Sequence, residues 1–204
     1  EWLSSSFATV KIHLGKPAWS WITVLVRGCL KIGRVLGFNT FTRLSLESRT
    51  GENLLSFPGY PALIRAVCTA RDRYRSYLKA RRQADKGAIV ICDRFPLPQI
   101  ISMDGPQISR MTGAVQHLRF VKFLVRLEER YYQFIMPPDI LFVLHLSPDA
   151  AVDRKQDESA ASVRARAEEI WEKHWEETDA RVINAAQPQA EVLRRVQEIL
   201  WRHL

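Results

Sequence analysis

Gly87-Ala-Ile-Val-Ile-Cys-Asp93-Arg94-Phe95 is the stretch on which the reading of this sequence turns. A glycine releases the chain from the preceding segment. The run Ala88–Cys92 is nearly all apolar, as expected of a parallel strand buried on both faces rather than of a half-exposed one. It delivers an Asp–Arg pair to its carboxyl end, and in open α/β sheets ligands bind beyond those ends. An Asp there can hold Mg²⁺ directly or through water, and an Arg can grip phosphate oxygens with both arms of its guanidinium. The same pair also fits a plain role, with Asp93 capping the next turn and Arg94 as its surface partner. The stretch alone leaves both open.

Similar short runs recur along the chain. Thr9-Val-Lys-Ile-His-Leu14 reads as a strand ending at Gly15 and Pro17, Ile140-Leu-Phe-Val-Leu144 as a strand launched from Pro137-Pro138-Asp139, and Arg181-Val-Ile-Asn184 as a shorter one. Between them lie helical patterns over 20–36, 62–86, 115–135, 148–175 (broken near 157–161) and 189–203, with Pro148 and Pro188 suited to helix starts. Residues 37–60 read as a loop. Strands alternating with helices predict an α/β fold around a parallel sheet, in one domain spanning 1–204.

Charge is the outlier of the composition. Thirty Lys+Arg against 22 Asp+Glu give +8 and a pI near 9.7, and 22 of the 30 cations are Arg. Arginine's planar, always-charged fork suits phosphate, which leaves phosphorylated ligands and nucleic acid as rival partners. Three scattered cysteines form neither a disulfide framework nor a metal cluster, which favours a reducing, cytoplasmic setting. No run reaches the roughly 18 apolar residues of a membrane span, so no membrane partner is expected. The stripe Trp19, Trp21, Ile22, Leu25, Val26, Cys29 and Leu30 reads as core or as the face of a homodimer.

Two further units carry chemistry. In Ala70-Arg-Asp-Arg73-Tyr-Arg-Ser-Tyr77 the i,i+4 spacing sets Arg73 beside Tyr77, an arrangement useful for a nucleotide and equally compatible with a solvated basic face. The cationic stretch Arg154-Lys155-Gln-Asp157-Glu158, with Arg164 and Arg166, follows the third strand. It reads as a lid over 153–168 or as ordinary mixed-charge surface.

Taken in order, these units resemble the thymidylate kinase family of P-loop nucleoside monophosphate kinases. Arg73 on a helix, Gly87, the apolar strand and Asp93-Arg94-Phe95 follow the family pattern, as do Pro138-Asp139 with its strand, Pro148-Asp-Ala-Ala151, Arg154-Lys155 and Val182-Ile-Asn-Ala185-Ala-Gln187-Pro188. The resemblance implies a P-loop NTPase-like parallel sheet with helices on both faces, ATP and Mg²⁺ as cofactors, and γ-phosphoryl transfer to a nucleoside monophosphate such as dTMP. It implies that Asp93 positions Mg²⁺ and Arg94 binds the acceptor phosphate, and that Arg73 contacts the acceptor. Phe95, Asp104 and His13 fall on the acceptor side. Arg154, Arg164 and Arg166 become catalytic lid cations, and Lys155 with Ala185, Ala186 and Gln187 serves the ATP side. Such catalysis rests on positioning and electrostatics, and no covalent nucleophile is apparent.

The departures bear on the acceptor and the donor. After Phe95 the family carries Ser and then Ala-Tyr-Gln-Gly around the thymine; here Pro96-Leu-Pro-Gln-Ile-Ile-Ser102-Met-Asp104-Gly-Pro106 stands instead. A same-fold kinase for another small phosphorylated or hydroxylated acceptor is therefore the alternative, with a non-catalytic basic nucleic-acid-binding module further off. His145 stands where the family often has Asp. G-x-x-x-x-G-K-[ST] occurs nowhere, since Gly15-Lys16 is followed by Pro17 and Val10 stands where the first Gly belongs. Glu1–Phe7 reads as the tail of the helix that follows such a loop. The expectation is a chain lacking the first strand and phosphate loop, and inactive by itself.

Overall fold

The computed structural model describes residues 3–35, 59–97, 100, 104–113, 118–155 and 157–204. They divide into two compact units, Glu1–Ile135 and Met136–Leu204. The loop expected over 37–60 falls almost wholly outside the described residues, as do 115–117 at the start of the helical pattern expected over 115–135.

In the first unit, β1 (Thr9–His13) and β2 (Ile89–Asp93) pair in parallel, with His13 opposite Asp93. Helix α1 (Trp21–Val35) follows β1, and the long α2 (Tyr60–Ala84) leads into β2. The turn between α2 and β2 needs a left-handed residue, which Gly87 supplies at φ 83°. A short α3 (Ile108–Met111) and α4 (Arg119–Gln133) complete the unit. Helix α2 buries Leu63, Val67, Ala70, Tyr77 and Ala80, the helical period seen in its sequence. Leu63 and Val67 pack with Ile108, Val121 and Leu124, while Ala70 and Tyr77 pack with Tyr132 and Ile135.

In the second unit, β3 (Phe142–His145) and β4 (Arg181–Asn184) pair in parallel, with His145 opposite Asn184. Helices α5 (Pro148–Arg154) and α6 (Ala160–Trp171) lie between the strands in sequence, and α7 (Gln189–Trp201) follows β4. Pro148 opens α5, and Ser147 caps it by accepting from the Ala150 N–H at 3.4 Å. Val143, Val163, Trp175 and Ile183 are buried here.

The α/β class and the four parallel-strand segments agree with the sequence. The described residues form two two-stranded parallel sheets rather than the single sheet expected. Sequence marks a run as strand-forming, but which strands become neighbours is decided by tertiary contacts the run does not encode. Ile91, Leu144 and Val182 are accordingly exposed on strands whose apolar character suggested burial. The stripe on α1 divides likewise: Ile22, Val26 and Leu30 turn inward, while Trp21 and Leu25 stay exposed.

Leu63 has no exposed surface. Leu63→Ala removes buried methyl groups and leaves a cavity, so urea unfolding should show a loss of about 2–5 kcal/mol. The exposed Leu193→Ala should change stability by less than about 1 kcal/mol.

Candidate functional site

In the first unit the parallel register aligns the carboxyl ends of both strands. His13 Nδ1 lies 3.1 Å from Asp93 Oδ2, with both side chains roughly half-exposed. Leu14 then continues the pairing by donating its N–H to the Asp93 carbonyl at 3.0 Å, and the chain turns at Gly15. Arg94 follows β2 with φ 53° and is the positive-φ non-glycine among the described residues. That conformation costs an L-residue about 1–3 kcal/mol and persists where its surroundings hold it. Gly15 is part of those surroundings. A Cβ there would stand 2.7 Å from Arg94 Cδ and 3.1 Å from Asp104 Oδ2, so a side chain at this position would have to displace the Arg94 side chain.

Arg73, 7% exposed, sits at the centre of this cluster. Its guanidinium forms a buried ion pair with Asp104 and donates to the Asp104 carbonyl at 2.9 Å. It also donates to Tyr132 Oη at 2.7 Å and to the Gly15 carbonyl at 3.4 Å. Arg73 Nε and Asp104 Oδ2 keep no hydrogen-bond partner among the described residues. Burial pushes the Tyr132 phenol up to about 12, against the opposing pull of Arg73, so it stays protonated at physiological pH. Phe95 packs half-buried against the cluster of Ala70, Tyr77, Tyr132 and Ile135.

A cavity of about 330 Å³ opens beside Arg73, lined by Arg27, Arg65, Thr69, Gln107, Glu128 and Tyr132 among others. Its volume lies within the range of small-ligand sites. Glu128 is buried and accepts the Gln107 N–H at 3.1 Å and the Ile108 N–H at 2.8 Å, so it caps α3. Burial raises the Glu128 carboxyl above its ordinary value of 4.5, against the lowering by those two N–H groups and Arg73.

The structure thus brings together His13, Arg73, Asp93, Arg94, Phe95 and Asp104 from the sequence prediction. It adds Tyr132, Arg27 and Arg65, which the sequence does not single out, and Gly15, which in the sequence reads only as a strand end and a false match to the phosphate loop. Helical spacing placed Arg73 beside Tyr77, but its hydroxyl partner is Tyr132 on α4, a pairing no local spacing signals.

The second unit holds the remaining candidates. Arg154 donates to the Ala185 carbonyl at 2.8 Å, and the Ala186 N–H donates to Asn184 Oδ1 at 2.9 Å. Lys155 and Arg166 both pair with Glu158, and Arg164 lies 2.7 Å from Asp149. Hydrogen bonds from Lys155 and Arg166 hold the Glu158 carboxyl down at about 2. Gln187 is exposed. His145 stacks on Trp171 with ring centroids 4.1 Å apart at an angle of 6°.

No family model matches the chain. It is similar to two Escherichia coli proteins, each called an uncharacterized ATP-binding protein YghR, one from strain K12 and one from O6:H1. Each is 30% identical over 158 residues, covering 74% of this chain and 61% of the relative. The chain therefore spans about three-fifths of the length of these relatives. The likeness is to proteins named for binding ATP.

Removing one partner of the Arg73–Asp104 pair strands a buried charge. Asp104→Ala should lower unfolding stability by about 3–5 kcal/mol, and the double replacement Arg73→Met with Asp104→Leu should recover most of it. For Glu128, a carboxyl raised in the folded state favours folding below its unfolded pKa and loses that contribution as pH rises through the folded value. Unfolding at a series of pH values should show the native protein losing stability relative to Glu128→Gln as pH climbs above about 4.5.

Proposed function

We propose that this chain is part of an ATP-dependent phosphotransferase acting on a small phosphorylated acceptor, of the thymidylate kinase type. The observation that carries the reading is the convergence of Asp93, Arg94, Arg73, Asp104 and His13 at the carboxyl ends of two parallel strands. The likeness to proteins named for ATP binding supports it.

In this reading Arg94 binds the acceptor phosphate. Its guanidinium has no hydrogen-bond partner among the described residues, its backbone takes φ 53°, and its side chain lies close against Gly15. Asp93 with His13 holds the Mg²⁺ side. The described residues contain no group of three or more acidic, His or Cys side chains that could cage a metal. A single carboxylate fits Mg²⁺, which keeps waters and takes its other ligands from nucleotide phosphates. Held there, Mg²⁺ would neutralise phosphate charge. Arg154, Lys155, Arg164 and Arg166 serve the donor phosphates; Lys155, Arg164 and Arg166 now pair with the carboxylates of Glu158 and Asp149, and Arg154 donates to the Ala185 carbonyl. Ala185, Ala186 and Gln187 line the adenine side. A loop of the G-x-x-x-x-G-K-[ST] type, absent from these 204 residues, belongs to the donor site in this scheme.

One observation favours an acceptor other than dTMP. Arg73 is already engaged by Asp104, a residue of the segment that departs from the thymidylate pattern. An acceptor base that used Arg73 would have to displace a buried carboxylate.

The test is ADP production by the full-length protein with ATP, Mg²⁺ and a panel of nucleoside monophosphates and sugar phosphates. Turnover with at least one acceptor is expected, and none with any would discard the reading. Arg94→Ala should lower kcat/KM at least about 100-fold, while its circular dichroism and melting match the native protein. An active Arg94→Ala variant would contradict the assigned role.

A further inference from the structure

Helix α1 carries an apolar stripe that is exposed among the described residues. Trp21 (71%), Val24 (55%), Leu25 (56%) and Ile32 (60%) are exposed. With Gly28 between them they occupy one face at i, i+3, i+4, i+7 and i+11. A Cβ at Gly28 would meet nothing within 4 Å. Arg27 and Lys31 flank the stripe on one side, and neither has a carboxylate partner among the described residues.

The charge of this part of the chain is one-sided. From Trp2 to Leu46 the sequence contains no Asp or Glu, while Lys11, Lys16, Arg27, Lys31, Arg34 and Arg43 fall within it. Most of the +8 balance is therefore traceable to the first quarter of the chain. Trp19, over which the Arg27 guanidinium sits 4.3 Å from the ring centroid, adds a second aromatic beside the stripe.

We propose that α1 seats on an anionic lipid surface, its apolar stripe entering the boundary between headgroups and acyl chains and the exposed Lys31 beside it facing the lipid phosphates. Exposed Trp and aliphatic residues on one face, cations alongside and no acidic residue are what an interfacial helix requires. No described helix is long and apolar enough to cross a membrane. A helix lying in the interface plane needs only its stripe, about 17 Å from Trp21 to Ile32 at 1.5 Å per residue. The expectation that no membrane is involved is thus narrowed to spanning. Charge chooses this occupant over a second copy of the chain. Two copies meeting through α1 would oppose cation to cation with no carboxylate on the helix to answer them, whereas an anionic leaflet attracts each basic residue.

The test is co-sedimentation of the full-length protein with vesicles of phosphatidylcholine alone and of phosphatidylcholine mixed with phosphatidylglycerol. Binding to the mixed vesicles, weakening as salt rises and largely absent with phosphatidylcholine alone, is expected. The double variant Leu25→Ser with Ile32→Ser should bind mixed vesicles at least about tenfold more weakly, and Lys31→Glu should weaken binding as well. All these side chains are exposed, so melting temperatures should match the native protein. Val24→Gln is a milder probe should the double variant melt early. Failure to bind mixed vesicles, undiminished binding by the double variant, or equal binding to both vesicle types would overturn the proposal. So would a dimer in light scattering that the double variant splits while vesicles are ignored. None of these outcomes bears on phosphoryl transfer, which the acceptor panel tests separately.

Discussion

A guanidinium taken out of water must have its donors answered, and in the first unit that requirement falls on Arg73. Uncompensated, such a charge costs several kcal/mol. Here the Asp104 carboxylate and carbonyl, the Tyr132 hydroxyl and the Gly15 carbonyl supply the acceptors. Those acceptors come from the turn after β1, the segment after β2 and helix α4. One buried cation on α2 therefore ties three separate stretches to the ends of the two strands. Gly15 is drawn so close that a side chain there would crowd Asp104 and push the Arg94 side chain aside. The left-handed turn at Arg94 is held within the same arrangement.

The electrostatics of the second unit are of a different kind. Its pairs, Lys155 and Arg166 with Glu158 and Arg164 with Asp149, lie towards solvent, where such contacts contribute little to stability. Surface cations held by exposed carboxylates can exchange those partners for phosphate at low cost. Arg73, by contrast, cannot leave Asp104 without abandoning a buried charge. Within the first unit the buried pair gives fixed placement, whereas within the second the charged groups lie where partners can exchange.

Much of this was legible in the sequence because it is local. The apolar run ending in Asp93-Arg94, the proline at the start of α5 and the break in the helical pattern near Asp157 all depend on neighbours a few residues away. The structure shows a strand ending at Asp93, α5 beginning at Pro148, and α5 and α6 ending and starting at Arg154 and Ala160. The candidate site was legible as a set of residues, not as a set of contacts. Tyr132 meets Arg73 across 59 positions and Asp104 across 31, separations for which periodicity gives no signal. In the sequence Asp104 reads as an acceptor-side residue within a departure from a family pattern, and its role as the carboxylate buried against Arg73 emerges from the fold. On α1 the period of the stripe was visible, but which side of it would be covered depends on what packs there. Trp21 and Leu25 share a helix with the inward-facing Val26 and Leu30, yet remain exposed.

The central claim is that the ends of β1 and β2 form the acceptor side of a nucleotide-dependent phosphotransferase. Isothermal titration calorimetry of the full-length protein with Mg²⁺–ATP, and separately with each acceptor phosphate, addresses it most directly because it needs no turnover. The account predicts saturable binding of Mg²⁺–ATP and of at least one acceptor, with acceptor binding lost in Arg94→Ala and ATP binding retained. Binding of neither ligand, or acceptor binding indifferent to Arg94, would contradict it.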